Sequence, residues 1–497
     1  MRNASFFDTE QFKEEIKQRV IRGGMITSAS NGILFILRLI SIMVLARMLI
    51  PEHFGLIGMV TSLTVLIERF QDLGLGDAVV QRKDITHEQV SALFWINIGI
   101  CLILTVLVAL SANIVAWFYH DDRLTWITIA FASNFIFAGL SIQHQALIRR
   151  RMRFDHFAMI KILATAFGVI VAIIFAWLGY GYWALVWQEL ARTLLGTVLA
   201  WLFCPWRPGW HVRTAGVKSM LQFGGAVTSY NMLYYLSNNL DSILIGKYYG
   251  AISVGFYSRA KQLGGIPVSQ LFEPIRYVSL PALSTLQNDP VKYRNYFEKM
   301  LSILSFLYMP MIVYIGIYAN PIVNIFLGSQ WADAVPIFRL LAISMFVSPI
   351  VSMLGLIMLS TGQTGRYFIW GLFTALSTVV GFMAGIKWGG IGVSASCSIS
   401  SAVNLVFSFC YVFKGSPVDM FSTLKTMYRP VVASIVMGCV LVMTYKFMSS
   451  YNMALQVIIS VISSCVLYIL IWLLFSDGYR LMTELASYPL SAIKRNT

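Results

Sequence analysis

The chain has 497 residues, 58% of them hydrophobic and 12% charged, with a mean hydropathy of +0.72 and a formal net charge of +15. Soluble domains carry roughly 45–50% apolar and about 25% charged residues, so a soluble enzyme is excluded. The apolar total, about 288 residues, supplies roughly fourteen helices of the length needed to cross a bilayer and little else. In such a chain an excess of Lys and Arg reflects their retention on the cytoplasmic side, not a nucleic-acid partner.

Residues 1–20 precede the first apolar run and carry Phe12, Ile16 and Val20 on one helical face, with Glu10, Lys13, Glu14, Glu15, Lys17 and Arg19 on the other. This pattern predicts an amphipathic cytoplasmic segment and no cleavable signal peptide. Apolar runs and their breaks then predict spans at 21–46, 54–80, 90–118, 124–148, 159–178, 182–203, 219–245, 253–286, 297–318, 335–359, 367–386, 391–413, 430–445 and 453–475. A cytoplasmic tail, 476–497, follows. Basic residues divide about 25 to 5 between the two sets of loops, which predicts that both termini are cytoplasmic and that the number of spans is even. Trp and Tyr at the span ends, Trp206 and Trp331 among them, read as an interfacial aromatic belt. The six cysteines (Cys101, Cys204, Cys397, Cys410, Cys439, Cys465) lie in or beside apolar segments without CxxC or paired spacing, and no disulfide framework or metal site is expected.

Two stretches 200 positions apart correspond: LARMLIPEHFGLIGM aligns with LIGKYYGAISVGFYS, so that Arg47 matches Lys247 and Gly55 matches Gly255. Each stretch closes one span and opens the next, which predicts a parallel repeat of two six-helix lobes, 21–203 and 219–413. A linker, 204–218, joins the lobes, and two further helices lie in 414–475. The predicted fold is thus an all-α integral membrane protein of about fourteen transmembrane helices. Span eight holds Pro267, Pro274 and Pro281 after Gly264 and Gly265, and each interior proline removes a helical hydrogen bond. Freed carbonyls survive in lipid only beside protein or a watery cavity, so this span is expected to line a cavity and to flex.

Ionisable residues cost about 2.5–3.5 kcal/mol at the membrane centre on insertion scales, and each calls for a reason. Arg38, Glu189, Arg192, Arg259 and Lys261 fall roughly 9–15 Å below the expected outer face at about 1.5 Å per residue. Glu189 can pair with Arg192, whereas the other cations have Asp241 as their sole evident acidic neighbour. Cations in excess at this depth point to an anionic guest, and a guanidinium fork suits phosphate oxygens; snorkelling to the interface is the competing explanation. An inner, mixed group comprises Glu68, Arg69, Asp72 and Asp77 on span two with Glu273 and Arg276 on span eight. Its spacings allow a structural ion-pair network that gates the cytoplasmic side, or a path for proton coupling. The YHDDR stretch around His120 reads as a wet interfacial turn. No Walker loop or dinucleotide fingerprint is present, and no cofactor is expected.

The runs LARMLIPEHFGLIGM, DLGLGDAVVQRKDIT and ALFWINI resemble the Wzx-type polysaccharide flippases, most closely the WzxC branch of colanic-acid and amylovoran exporters. These belong to the MOP superfamily, with the MATE drug antiporters and lipid II flippases. The resemblance covers most of the chain and is strongest in its first third. It implies two six-helix lobes around a cavity and translocation of undecaprenyl-pyrophosphate-linked oligosaccharide repeat units across the bacterial inner membrane by alternating access. It also implies drive by an ion gradient, and it leaves a polymerase and export machinery as possible partners. Arg38, Arg69 and Arg259 lie on the spans that bind pyrophosphate in lipid II flippases. Two other readings compete: a MATE-like exporter of cations, which predicts an acidic cavity, and a membrane glycosyltransferase or polymerase, which needs a larger acidic outward loop than residues 319–334 offer.

Overall fold

The computed structural model describes residues 16–72, 74–82, 85–210, 217–448 and 452–474. The side chains of residues 16–21, Leu66, Arg69, Asp72 and residues 217–238 lie outside this description. So do most of the amphipathic segment 1–20 and the tail 476–497. Every described element is helical. The chain divides into two compact units, Met1–Gly255 and Phe256–Thr497.

The first unit contains α1 (Ile16–Met48), α2 (Pro51–Asp72), α3 (Leu75–Gln81), α4 (His87–Tyr119), α5 (Arg123–Arg150), α6 (Phe154–Trp177), α7 (Trp183–Phe203) and most of α8 (Val217–Pro267). Local sequence sets the ends of these helices. Thr86 and Gln89 form a reciprocal capping box at the start of α4, and His120 ends that helix in the left-handed conformation at φ 58°. Antiparallel neighbours pair tightly, α4 on α5 and α6 on α7, with α5 and α7 also in contact and α1 against α6. On α4, Leu102, Ile103, Val106, Leu107, Leu110, Ile114 and Trp117 form an exposed apolar stripe, while Asn97, Cys101, Val108 and Ala112 turn inward. A helix with oily residues outside and small or polar ones inside suits a lipid surrounding.

The second unit contains α9 (Glu273–Thr285), α10 (Pro290–Ile317), α11 (Ala319–Phe326), α12 (Ala334–Ser360), α13 (Thr364–Gly385), α14 (Gly389–Val412), α15 (Met420–Phe447) and α16 (Met453–Leu473). Its core centres on Tyr293, Phe297, Leu301, Leu304 and Tyr308 of α10, packed with Ile350, Met353 and Leu354 of α12. Asp289 caps α10 by accepting the Lys292 amide at 3.1 Å, with Pro290 at the first helical position. The proline-rich span eight behaves as its residues dictate: after Pro267 the backbone loosens into one π-helical turn, Val268–Phe272, before α9 resumes. Such turns commonly mark functional sites in helices.

Nine stretches among the described residues are long and apolar enough to cross a membrane. One of them, Thr364–Val412, holds both α13 and α14, which are separated by Gly389 at φ 64°. Helices α2, α7 and α8 fall outside these nine. The protein is thus an all-helical, multi-pass membrane protein.

Two local findings depart from the expectations. Trp206 and Trp331 are fully buried instead of joining the belt. Trp206 donates its Nε1–H to His87 Nδ1 at 2.9 Å and packs against Phe94 and His144, and so fastens the segment after α7 to the start of α4. The matched stretches also touch one another within the first unit. A Cβ on Gly55 would lie 1.7 Å from the Ala251 carbonyl oxygen, and one on Gly255 would lie 2.1 Å from that of Pro51. Each contact becomes the other when 200 is added to its lower residue number and taken from its higher one, the reciprocity expected around a two-fold axis.

Candidate substrate cavity

Helices α1, α2, α5, α6 and α7 of the first unit enclose a cavity of about 420 Å³. Among the described residues its charged lining is Arg38, Glu68, Lys161, Glu189 and Arg192. Amides (Asn31, Gln71, Asn134, Gln145) and hydroxyls (Ser141, Thr165, Thr193) supply most of the rest. Ligand pockets of about 300–1,000 Å³ are mostly apolar, so a polar cavity inside a bundle with an oily exterior is a deliberate feature.

Close helix packing places these side chains. Gly168 lets α7 approach α6 so nearly that a Cβ there would sit 2.7 Å from the Gln188 carbonyl oxygen and 3.0 Å from Arg192 Cβ. Gln188 donates to Ser41 Oγ at 3.1 Å and ties α7 to α1. One turn on, Arg192 Nε donates to Glu189 Oε2 at 3.0 Å, and its Nη2 donates to the other carboxylate oxygen. Gln145 Nε2 donates to Ser141 Oγ at 3.1 Å along α5. Measured along the helices at about 1.5 Å per residue, Glu189 and Arg192 lie about 9–14 Å from the end that carries the α1–α2 and α6–α7 turns. By the same measure Arg38 lies about 15 Å and Glu68 about 25 Å from that end, and Lys161 about 10 Å from the opposite one.

The site residues expected from sequence fall into three places. Arg38, Glu68 and Arg192 line this cavity, so the outer and inner groups meet in part. Arg259 and Lys261 belong to the second unit, where Arg259 donates through Nη1 to Gln262 Oε1 and the Lys261 ammonium lies 5.9 Å from the centre of the Tyr257 ring. The rest are dispersed. Asp241 is 2% exposed and accepts the Ser242 amide at 2.6 Å. Asp77 pairs with Arg149 at 3.1 Å, and Glu273 with Arg276 at 3.6 Å, both at exposed positions. Arg69 and Asp72 lie outside the described side chains. Span eight is not among the helices that line this cavity.

Sequence reasoning missed Lys161. Standing near the start of a span, it has the look of an interfacial lysine, and only the packing of α6 against α1 and α7 reveals that it faces the same space as Arg38. Among the described residues no group of three or more His, Cys, Asp or Glu side chains is placed to hold a metal.

A family model for polysaccharide biosynthesis proteins matches residues 44–336. The chain belongs to this family. Within it, the chain is 26% identical over 471 residues to the teichuronic acid biosynthesis protein TuaB of Bacillus subtilis, covering 92% of this chain and 96% of that one. It is 23% identical over 406 residues to the lipopolysaccharide biosynthesis protein WzxC of Escherichia coli, covering 80% and 82%. The fold matches that of the lipid II flippase MurJ in an inward closed conformation, with a TM-score of 0.71 at 15% identity over 92% of this chain and 98% of that one. This member of the polysaccharide biosynthesis family therefore shares the fold of the lipid II flippase MurJ.

Proposed function

We propose that the protein is a flippase that moves undecaprenyl-pyrophosphate-linked oligosaccharide repeat units across the bacterial inner membrane by alternating access, for exopolysaccharide synthesis. The observation that carries this reading is the polar cavity inside an apolar helical bundle, with three cations against two carboxylates among its described lining residues, in a chain of this family. Charged groups in a membrane face a watery path or a substrate, and a basic majority suits an anionic cargo. A MATE-like exporter of cations calls for the opposite sign.

The finer architecture belongs to the same proposal: fourteen spans, both termini cytoplasmic, six-helix lobes at 21–203 and 219–413 joined by the linker 204–218, and two further helices in 414–475. The reciprocal contacts of Gly55 and Gly255 support the repeat. Arg38, Arg69, Arg192, Arg259 and Lys261 are proposed to bind the substrate. Glu68, Asp72, Asp77, Asp241, Glu273 and Arg276 are proposed to gate the path or to couple it to an ion gradient. A polymerase and export machinery are the proposed partners.

Deleting the gene tests the function: lipid-linked oligosaccharide should accumulate in the inner membrane, and its absence would refute the reading. The site is tested by Arg259→Ala, which should reduce polymer export by at least about ten-fold, the loss expected of one charge-assisted contact. Membrane insertion, measured by immunoblot of the membrane fraction, should be unchanged; undiminished export would refute the role of Arg259.

A further inference from the structure

At the end of the first unit where α5 passes into α6 and α7 closes, residues 149–156 and 204–207 hold five arginines against one carboxylate, Asp155. Two of these arginines serve the fold: Arg150 is buried and donates to the Val79 carbonyl at 2.8 Å, and Arg149 pairs with Asp77 at 3.1 Å. The other three converge. Cys204, fully buried, lies in the fields of Arg207, Arg151 and Arg153 together, so guanidiniums from segments about fifty residues apart gather around one point. The two segments meet where the rings of His156 and Phe203 pack edge to face, 5.1 Å between centres. Arg207 donates to the carbonyls of Cys204 and Trp206, both at 2.8 Å, and lies 5.1 Å from the centre of the Trp201 ring, while Arg153 donates to His156 Nε2 at 2.9 Å. Asp155, 2.9 Å from His156 Nδ1, also feels Arg153 and offsets one of the three charges. Burial and the field of Arg153 together press the Arg151 guanidinium below its ordinary value. Like charges gathered this way repel, and an anion among them relieves the repulsion.

The neighbouring helices indicate what carries that anion. From this cluster α6 presents Met159, Leu163, Phe167, Ile170 and Ile174, and α7 presents Leu202, Val198 and Leu194, as exposed apolar stripes that run away from it. A soluble phosphate compound gains nothing from such stripes, whereas a phospholipid carries its phosphodiester at the membrane surface and its acyl chains below. We propose that Arg151, Arg153 and Arg207 form a binding site for the head group of an anionic phospholipid, whose acyl chains lie along the exposed faces of α6 and α7. Each guanidinium fork can hold two phosphate oxygens, and basic side chains near a membrane surface add to the affinity for anionic lipid. The bound head group bridges the α5–α6 turn and the segment after α7. The inference goes beyond the flippase reading and holds whatever the cargo is; the proposed orientation enters only in assigning the lipid to the cytoplasmic leaflet.

The test uses the full chain in detergent, with dioleoyl phosphatidylglycerol and dioleoyl phosphatidylcholine as probes, read by native mass spectrometry and by melting temperature. Phosphatidylglycerol should bind at least about ten-fold more tightly than phosphatidylcholine and should raise the melting temperature, as a ligand of the folded state does. Arg151→Gln combined with Arg153→Gln should weaken phosphatidylglycerol by at least about ten-fold and remove most of the melting shift, whereas Arg151→Lys combined with Arg153→Lys should retain the preference for it. Lys414→Gln combined with Lys425→Gln, which removes two exposed charges from the second unit, should bind both lipids as the parent does. Equal binding of the two lipids by the parent would overturn the proposal without any variant. An equal loss in the Lys414 and Lys425 variant would also overturn it, because the lipid would then answer to surface charge in general. Displacement of phosphatidylglycerol by inorganic phosphate at equal concentration would assign the arginines to a free anion and overturn the lipid. None of these results bears on transport, so the flippase reading stands or falls separately on the accumulation of lipid-linked oligosaccharide.

Discussion

Arg123 shows how single side chains hold the end of the first unit that carries the α4–α5 turn. Its guanidinium donates to Glu52 at 2.6 Å and to Asp121 at 2.8 Å, and so joins the start of α2 to the turn before α5. For Asp121, burial would raise the carboxyl, but the side-chain and backbone hydrogen bonds from Arg123 and its charge outweigh burial and hold it below its ordinary value of 3.8. A carboxyl depressed in the folded state contributes stability above its unfolded pKa and loses it as pH falls through the folded one. The melting temperature in detergent should therefore be flat near neutrality and fall as the pH drops below about 4, and Asp121→Asn should flatten that acid limb. The YHDDR stretch, legible in sequence as a wet turn, owes its order to Glu52, some seventy residues away. The Glu189–Arg192 pair, by contrast, was readable from its spacing of three. Lys161 was not, because nothing in its own segment indicates which neighbours it will face.

Helices meet in the first unit through small residues and through one large anchor. Gly55 and Gly255 lie so close to opposing carbonyls that any side chain must push the α2 and α8 backbones apart. Gly55→Val should cost about 1–3 kcal/mol by overpacking, and Gly255→Val a similar amount, since their environments correspond. Both costs would appear as lowered melting temperatures in detergent, and a cost at one glycine alone would argue against the two-fold relation. Trp206 is the reverse case, a bulky side chain with no exposed surface in a segment that has no regular structure. Trp206→Ala should cost about 3–5 kcal/mol, through loss of packing on Phe94 and His144 and of its bond to His87. In sequence it was one more aromatic near a span end, because a membrane belt and a buried anchor draw on the same residue types. The proline and glycine pattern of span eight was more telling. Its backbone consequences are local, and a π turn follows Pro267.

At the scale of the molecule, the orientation implied by the basic loops can be measured. In a background stripped of native cysteines, Asp122→Cys should react in intact spheroplasts with a thiol reagent that does not cross membranes, whereas Met152→Cys should react only after the membrane is opened. Reaction at Met152→Cys in sealed spheroplasts would invert the topology and with it the direction of transport. The sequence by itself determined that the chain is a helical membrane protein, where most of its helices begin and end, and that it belongs with polysaccharide biosynthesis proteins. Those properties follow from composition, period and neighbours within a few turns, which the chain displays without folding. The tertiary structure alone decided which charges share a space. It brought Arg38, Glu68, Lys161, Glu189 and Arg192 from four helices of one unit onto a single cavity, and it placed Arg259 and Lys261 in the other unit. The physical reason is that charge balance in a cavity depends on helix rotation and on close approach at glycines such as Gly168, and those are set by packing between segments far apart in the chain.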